Sequence, residues 1–254
     1  MAKIIAFSNQ KGGVGKTTSC VNIAACLGKM GRRVLLVDLD PQGNATSGLG
    51  IQKKTIRRSV YDVILGNAGA HEGIVVTKYK NLHVIPSTVS LAGAEMELHE
   101  LTGSETSALK ALDAVKDDYD YVLIDCPPSL GMLTVNALSY ADGVVIPMQC
   151  EFFSLEGLSQ LIVTIKKVRQ LYNEKLQIYG ILLTMYNGRL TLTKQVVDEL
   201  KKYYAEKIIK TPISRSVKLS EAPGYGAPIC EYDPTSKSAE EYRQVAKELE
   251  KMII

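Results

Sequence analysis

Short runs of apolar residues alternate with longer amphipathic stretches along the chain. Six short runs predict β-strands, over residues 3–7, 33–38, 82–86, 121–125, 143–148 and 178–184. Four longer stretches with helical spacing of their apolar residues predict helices, over 17–30, 91–115, 155–172 and 192–205. A repeated order of strand, helix and strand is typical of a mostly parallel sheet with helices on both faces. The predicted fold class is therefore α/β, with a three-layer, doubly wound sheet.

Two of the apolar runs indicate which strands lie at the centre of the sheet. The segments "VLLVD" and "YVLID" show no alternation with polar residues, as expected for strands covered on both faces. The polar, glycine-rich segment 43–54 is the best candidate for a mobile loop. No internal repeat or linker interrupts the pattern, so we expect a single domain over residues 1–254.

The composition of the chain limits the class of protein to which it can belong. The chain has 254 residues with 46% hydrophobic content, enough for one large core, and no run reaches the ~18 apolar residues of a membrane-spanning helix. Together with the lack of a secretion signal, this predicts a cytoplasmic protein. Five scattered cysteines without a C-x-x-C pair disfavour a disulfide framework and a thiolate metal site. A net charge of +3 does not demand a nucleic-acid partner but allows a local basic patch.

The segment "NQKGGVGKTT", residues 9–18, lies between the first predicted strand and the first predicted helix. Glycines allow backbone N–H groups to turn around phosphate oxygens, and the start of a helix adds partial positive charge. In this position Lys16 suits the outer phosphates and the Thr17 hydroxyl suits Mg²⁺. The strict pattern G-x-x-x-x-G-K-[ST] is broken, because Gln10 replaces its first glycine. The segment predicts nucleotide binding, and it carries a second lysine, Lys11.

Carboxylates follow two of the predicted central strands. Asp125 ends "YDYVLID", and Asp38 and Asp40 end "VLLVDLD". Acids in these positions emerge at the carboxyl edge of a parallel sheet, where the phosphate loop also lies. We expect Asp125 to hold a water on Mg²⁺. Asp38 and Asp40 are two residues apart and share one side of the strand's end, so one can reach the metal and the other the attacking water.

Several motifs together resemble the ParA/Soj/MinD group of deviant Walker A ATPases, and most closely the chromosomal ParA (Soj) proteins. They are "KGGVGKTT" (11–18), "LLVDLDPQGNATSGLG" (35–50), "YDYVLIDCPPSLG" (119–131), "VIPMQCE" (145–151), "EGLSQL" (156–161) and "LSEAPGYG" (219–226). The resemblance covers essentially the whole chain. It implies a P-loop NTPase fold, ATP and Mg²⁺ as cofactors, and hydrolysis of ATP to ADP and phosphate.

The same resemblance gives the two lysines different roles. In this family the first lysine, here Lys11, reaches across a nucleotide-sandwich dimer to the partner's phosphates, while Lys16 serves its own subunit. A second cation suits a transferring phosphoryl group, whose oxygens share negative charge. An ATP-dependent homodimer is therefore implied.

Site residues carry over from the family position by position. Lys11, Lys16 and Asp40 take catalytic roles, with Asp40 orienting the hydrolytic water, and Thr17, Asp40 and Asp125 are placed at the metal. Met185 and the loop 213–216 are placed at the adenine; close relatives read I-P-R-N in this loop, whereas this chain reads "ISRS". The implied nucleotide-binding set is Gln10, Lys11, Gly12, Gly13, Val14, Gly15, Lys16, Thr17, Thr18, Met185, Ser214 and Ser216.

Non-specific binding of double-stranded DNA by the ATP-bound dimer is a further implication of the resemblance. Arg189 and Lys218 match the family's basic DNA-contacting positions, with Arg215 as a neighbour. Such contacts bind phosphates and carry little sequence information, so a net charge of +3 is no objection when two subunits combine their patches. The family also implies chromosome or plasmid segregation, a ParB-like centromere-binding partner that accelerates hydrolysis, and association with the nucleoid in the ATP-bound state.

Two related classes remain as alternatives. A MinD-like ATPase for division-site placement would dock its last helix on membrane, and here "SAEEYRQVAKELEKMII" has an apolar stripe that could face lipid or the protein core. Its other face mixes acids, among them Glu240, Glu241, Glu248 and Glu250, with basic residues, which favours packing and no stable membrane association. The stripe consists of Ala239, Tyr242, Val245, Ala246, Leu249 and Met252. A nitrogenase-type iron protein would need bridging cysteines, which the sequence does not support.

Overall fold

A seven-stranded sheet forms the centre of the part of the chain that the structure describes, residues 1–100 and 104–253 of a computed structural model. The order across the sheet is β3-β4-β2-β5-β1-β6-β7. Only β3 is antiparallel to its neighbour among these strands. The strands are β1 (Lys3–Phe7), β2 (Val34–Asp38), β3 (Val75–Val76), β4 (Leu82–Ile85), β5 (Tyr121–Asp125), β6 (Gly143–Gln149) and β7 (Gln177–Thr184).

Helices connect the strands and cover both faces of the sheet. They are α1 (Lys16–Lys29), α2 (Asn44–Gly48), α3 (Val60–Ile64), α4 (Ala70–Gly73), α5 (Leu91–Glu100), α6 (Ser104–Ser107), α7 (Met132–Tyr140), α8 (Phe152–Leu171), α9 (Thr191–Tyr204), α10 (Val217–Glu221), α11 (Ile229–Tyr232) and α12 (Lys237–Ile253). Short 3₁₀ segments lie at Lys53–Thr55, Ala108–Ala114, Lys116–Asp118, Ala205–Lys207 and Ala222–Tyr225.

The alternation of side chains along the strands divides the core into two halves. In β1, Ile4 and Ala6 join a cluster with α3, α5, α7, α8 and α9, whereas Ile5 and Phe7 join a second cluster with α1, α11 and α12. All five residues of β2 and of β5 are buried. The predicted three-layer, mostly parallel α/β fold is confirmed, and the six predicted strands end within one residue of the observed ones.

The strand register places the predicted acids at one edge. Asp125 at the end of β5 lies beside Phe7 of β1 and beside Asp38 of β2. Because all three strands are parallel, the loops that follow them leave the sheet on the same side. The loop after β1 and the acids after β2 and β5 therefore meet.

The structure differs from the sequence prediction at an edge strand and over residues 91–115. The two-residue strand β3 is too short to give an apolar pattern and was not predicted. The predicted single helix over 91–115 is wrong, because α5 ends at Glu100, α6 covers Ser104–Ser107, and a 3₁₀ segment follows over Ala108–Ala114; residues 101–103 lie outside the described part. Leu91, Leu109 and Leu112 are all buried in the same cluster. The spacing of the apolar residues therefore indicates which side chains are buried and does not require one continuous helix.

The segment 43–54, predicted as an irregular loop, is partly helical. Helix α2 covers Asn44–Gly48 and a 3₁₀ turn covers Lys53–Thr55. The cause is tertiary: the Thr46 backbone N–H and hydroxyl both donate to the buried carboxylate of Asp38, at 2.8 and 2.7 Å. These bonds hold α2 against the end of β2, although glycine, asparagine and serine give the segment little helical propensity of its own.

The last helix packs on the protein's own core. Its predicted stripe is buried against α1 from Ala239 to Leu249, but Met252 is 37% exposed and lies outside it. Glu241, which the sequence placed on the charged face, is instead buried. No helix among residues 1–100 and 104–253 is long and apolar enough to cross a membrane.

Candidate functional site

The loop between β1 and α1 curls around its own helix terminus. Gly13 and Gly15 have φ angles of 72° and 82°, a left-handed backbone in which a side chain would be strained. The Lys16 amine reaches back across the loop and donates to the Lys11 carbonyl at 3.1 Å. The loop and its lysine thus form a closed cradle at the start of a 14-residue helix, where an anion is favoured.

Lys16 is a buried cation, with only 7% of its surface exposed. Burial lowers the pKa of Lys16, and the nearby charges of Asp125 and Asp40 oppose that effect. An ammonium group removed from water needs anionic partners to remain charged. The site therefore supplies a positive charge that a phosphate group can neutralise.

Lys11 lies on the same loop but points elsewhere. Its amine forms an ion pair with Glu151, at 2.5 Å, beyond the end of β6. Its backbone N–H donates to Asn9 Oδ1 at 3.0 Å. The Lys11 side chain remains 34% exposed, whereas Lys16 is turned inward. The two lysine side chains of the loop therefore point in different directions, that of Lys16 toward the cradle and that of Lys11 toward the surface.

Residues at the ends of β6 and β7 hold the loop in place. The Gln149 amide donates to the Gly13 carbonyl at 2.8 Å and lies 3.2 Å from the Met185 sulfur. The Thr184 hydroxyl donates to the Val14 carbonyl at 2.8 Å. These bonds satisfy two carbonyls of the loop and hold it against the ends of β6 and β7.

Asp125 is fully buried at the end of β5. Neither of its carboxylate oxygens accepts a hydrogen bond of good geometry from the described residues. Burial, followed by the charge of Asp38, raises the pKa of Asp125 well above its usual range, while the Thr17 hydroxyl and Lys16 favour the charged form. Unpaired buried oxygens of this kind suit a hard cation.

Asp125 and the Thr17 hydroxyl thus fit Mg²⁺ as a donor set. Within the described residues no cluster of three or more His, Cys, Asp or Glu side chains could hold a metal on its own. Mg²⁺ does not require such a cluster, because it usually binds one or two carboxylates together with waters and phosphate oxygens.

Asp38 and Asp40 are now distinguished by their surroundings. The Asp38 carboxylate accepts three hydrogen bonds, two from Thr46 and one from the Asp40 backbone N–H at 3.3 Å. Burial raises the pKa of Asp38 to about 6, although the bonds from Thr46 lower it. The Asp40 carboxylate accepts a bond from the Gln42 N–H at 2.9 Å and is 7% exposed. Asp38 therefore anchors α2, and Asp40 is better placed to reach a water.

A cavity of about 730 Å³ opens beside the loop, within the size range of small-molecule sites. Met185, at its rim, is 42% exposed and has a φ of 48°, which is uncommon for a residue other than glycine. Tyr242 of α12 is fully buried, and its hydroxyl lies 3.3 Å from Ser19 of α1. The lining includes Gly15, Thr18, Met185, Ser214, Ser216 and Tyr242. The predicted adenine residues thus line one cavity with the phosphate loop.

The predicted DNA-contacting residues lie on two neighbouring loops. Arg189 is exposed in the loop after β7, and Arg215 and Lys218 are exposed in the loop and helix that follow Ile213. The Tyr186 N–H donates to the Ile213 carbonyl at 2.9 Å, which joins the two loops. Lys218 pairs with Glu221 at 3.5 Å, and Arg215 also lines the cavity. The loop with Arg189 follows the carboxyl end of β7 directly, and the segment with Arg215 lies beside it through the parallel bridge between Tyr186 and Ser214. Both lie at the same edge of the sheet as the phosphate loop, because β1, β6 and β7 are parallel.

Sequence reasoning missed several residues at this site. Gln149 and Glu151 end the apolar run of β6, so their position at the carboxyl edge could have indicated them. Thr46 and Glu241 gave no such signal. A threonine in a glycine-rich segment and a glutamate in a charged helix resemble surface residues until the tertiary contacts are known.

Comparison with known proteins agrees with this geometry. Residues 2–178 match a family model described as an AAA domain. The chain is 55% identical over 249 residues to the sporulation initiation inhibitor protein Soj of Bacillus subtilis, covering 98% of both chains. It is 47% identical over 251 residues to the chromosome partitioning protein ParA of Myxococcus xanthus, covering 99% of this chain and 89% of the relative.

A solved structure matches the fold over nearly the same length. It is described as cobyrinic acid a,c-diamide synthase from Mycobacterium smegmatis with bound ADP and magnesium. The TM-score is 0.85 at 38% identity, covering 97% of this chain and 93% of that one. The phosphate loop and the acids at the strand ends are the features expected of a deviant Walker A ATPase, and the relatives match over nearly the whole chain. The chain therefore belongs to the ParA/Soj family of deviant Walker A partitioning ATPases.

Proposed function

We propose that this chain is a DNA-partitioning ATPase that binds Mg²⁺-ATP, dimerises with it, and binds DNA non-specifically in that state. The observation that carries the proposal is the buried Lys16 beside the unpaired carboxylate of Asp125, at the glycine loop between β1 and α1. The names of the relatives support the biological role. The whole chain acts as one ParA-type domain.

Nucleotide binding follows from the cradle. The loop N–H groups and the Lys16 ammonium hold the phosphates, and the cavity lined by Met185 and Ser216 takes the base. Thr17 and Asp125, with Asp40 nearby, hold Mg²⁺, which neutralises phosphate charge when it is bound. The solved relative with ADP and magnesium supports this cofactor pair.

Hydrolysis needs an oriented water. Asp40 is held by the Gln42 N–H next to the metal-side acids, so we assign it to that water. The water oxygen bonds to the γ-phosphorus as the bond from that phosphorus to the bridging oxygen breaks. ADP leaves with the electron pair of the broken bond, and the two protons of the water stay on the released phosphate or pass to solvent. Lys16 stabilises the charge on the phosphoryl oxygens within its own subunit.

Dimerisation explains the second lysine. Lys11 points away from its own cradle and is held at the surface by Glu151, next to the exposed Phe152 and Phe153. Exposed aromatic residues beside a charged group are typical of an interaction surface. In the dimer, Lys11 leaves Glu151 and contacts the phosphates of the partner subunit. The γ-phosphate favours the dimer because only the dimer offers this second cation, so ATP acts as a switch.

DNA binding is assigned to Arg189 and Lys218, with Arg215 beside them. Arg189 and Arg215 are exposed on loops and Lys218 on the short helix α10, and two subunits double the number of cations. ATP therefore converts weak DNA binding into strong binding, which places the ATP-bound dimer on the nucleoid. A ParB-like centromere-binding partner accelerates hydrolysis and releases the dimer.

The MinD-like alternative is disfavoured by one observation. The apolar stripe of α12, including Tyr242 and Val245, is buried against α1 and cannot also face lipid. A membrane role for this helix would require it to leave the core that lines the candidate base cavity.

The DNA assignment is tested with a charge-reversed variant, Arg189→Glu with Lys218→Glu. DNA affinity is measured against salt concentration with a non-hydrolysable ATP analogue, and dimerisation is measured by sedimentation. We expect the variant to dimerise but to lose DNA binding, with a shallower dependence on salt. A matched control, Lys3→Glu with Lys175→Glu, makes the same charge change at the opposite edge of the sheet and should bind DNA. A dimeric double variant with the parent's affinity and salt slope would contradict the assignment.

A further inference from the structure

A buried glutamate of α12 forms hydrogen bonds with the loop that lines the candidate base cavity. Glu241 accepts the backbone N–H of Ser214 at 2.9 Å and its hydroxyl at 2.6 Å. The Lys237 amine, one turn earlier on the helix, donates to the same hydroxyl at 2.9 Å. The Glu241 side chain is only 10% exposed, whereas that of Lys237 is 78% exposed. The carboxylate is thus enclosed, and both of its oxygens are used.

Serine leaves the backbone of this loop unrestricted, whereas a proline would fix its own φ but would offer neither an N–H nor a hydroxyl to Glu241. With Ser214 in place, the two bonds to Glu241 hold the loop.

These bonds complete the fixation of the loop. Ile213 is held on both sides by β7 and its extension, since its N–H donates to the Leu183 carbonyl at 2.8 Å and its carbonyl accepts the Tyr186 N–H at 2.9 Å. Ser214 is held by Glu241, and Ser216 directly precedes α10. The residues 213–217 all line the 730 Å³ cavity, together with Tyr242, the neighbour of Glu241 on α12.

We infer that Glu241 is a positioning residue for the base of the bound nucleotide: it holds Ser214, and through it the loop 213–216, in the form that contacts the base. This inference rests on the proposed binding of ATP in that cavity. Glu241 acts through Ser214 rather than on the phosphates, which lie at the other end of the site. Its loss should therefore weaken recognition of the base and leave recognition of the phosphates unchanged.

The test compares two ligands in the full-length protein with Mg²⁺, namely ATP and inorganic triphosphate, which has no base. For Glu241→Ala we expect the ATP affinity to fall about tenfold, as two charge-assisted bonds are lost, and the triphosphate affinity to stay within about twofold. An equal fall for both ligands, or no fall for ATP, would overturn the inference. Absence of ATP binding by the parent would overturn the proposed function instead, so the two failures are distinguishable.

The chain offers a matched control on the same helix. Glu248, two turns further along α12, accepts the Lys210 N–H at 2.8 Å and the Thr211 hydroxyl. Its chemistry repeats that of Glu241, but its partners do not line the base cavity. Glu248→Ala should lower the melting temperature by a similar amount and leave ATP affinity unchanged. A loss of ATP affinity equal to that of Glu241→Ala would show a merely structural effect of α12.

Replacing the serine gives an independent test. Ser214→Pro leaves the Glu241 carboxylate with the exposed Lys237 amine at 3.4 Å but without the two bonds from Ser214, and should lower ATP affinity, because a buried charge short of hydrogen bonds is costly. Adding Glu241→Leu removes that charge, and the double variant should recover most of the ATP affinity of the parent. Additive losses in the double variant would overturn the inference, since they would mean that the two residues act independently.

Discussion

We expect the buried carboxylate of Asp125 to destabilise the protein when no nucleotide is bound. Its carboxylate is fully buried, has no hydrogen-bond partner among the described residues, and lies beside Asp38 in the adjacent strand. Asp125→Asn keeps the shape and removes the charge. We expect the variant to be more stable than the parent in the absence of nucleotide and Mg²⁺.

The magnitude follows from the cost of burying a carboxylate whose oxygens lack hydrogen bonds. Such a group costs the folded state about 1–3 kcal/mol, and more when it is charged. Burial, followed by the charge of Asp38, raises the pKa of Asp125 well above its usual range, so the charged form is the costly one. The new amide group also loses water, so we expect a gain of about 1–3 kcal/mol for Asp125→Asn.

A raised pKa in the folded state means that the folded chain binds more protons than the unfolded chain, so stability falls as pH rises from about 4 through the folded pKa. The Asp125→Asn variant lacks this carboxylate, so the part of the fall in stability that Asp125 causes is absent from it. The stability difference between variant and parent should therefore be small near pH 4 and should grow as the pH rises toward the raised pKa of Asp125.

Thermal unfolding between pH 4 and pH 8, with and without Mg²⁺-ATP, measures the effect. For a chain of this size about 2–4 °C is expected for each kcal/mol. Asp120→Asn is the control, because Arg33 lowers the pKa of Asp120 at the surface and its loss should cost at most about 1 kcal/mol. With Mg²⁺-ATP the order should reverse, since Asp125 then helps to bind the ligand. A variant no more stable than the parent at pH 8 would refute the reasoning.

Two further predictions concern the phosphate site. Lys16→Ala should lower ATP affinity itself, by about 100-fold or more because a buried charge contact to phosphate is lost, whereas Lys11→Ala should retain ATP but lose the ATP dimer, as calorimetry and sedimentation would show. Equal losses of ATP affinity would contradict the different directions of the two side chains. Asp40→Ala should bind ATP and accumulate as a dimer on DNA, with hydrolysis slowed by about 100-fold in a phosphate-release assay. Hydrolysis at the parent's rate would contradict its assignment to the water.

Strand positions were predictable because central parallel strands are buried on both faces. The runs that became β2 and β5 carry no polar alternation, and their ends fall at Asp38 and Asp125 as the sequence indicated. The phosphate loop was equally visible, because positive φ angles at Gly13 and Gly15 require glycine at fixed positions next to Lys16.

Tertiary contacts decided what the sequence did not reveal. Helix α2 exists because Thr46 bonds to Asp38, and no local pattern encodes that partner. The region 91–115 has one apolar period but several helical segments, since burial against the sheet constrains side chains more than backbone hydrogen bonding. Glu241 resembles any other charged residue of α12 until Ser214 is found beside it. The roles of such residues depend on partners that are distant in the sequence, and the periodicity of apolar residues gives no information about those partners.

The central claim is that ATP turns the chain into a DNA-binding dimer. Binding to non-specific double-stranded DNA and to anionic liposomes should be measured side by side, with ADP and with a non-hydrolysable ATP analogue. The exposed basic residues Arg189, Arg215 and Lys218 and the buried stripe of α12 predict strong, salt-sensitive DNA binding with the ATP analogue, weak DNA binding with ADP, and no liposome binding with either. ATP-dependent binding to liposomes without binding to DNA would contradict the claim.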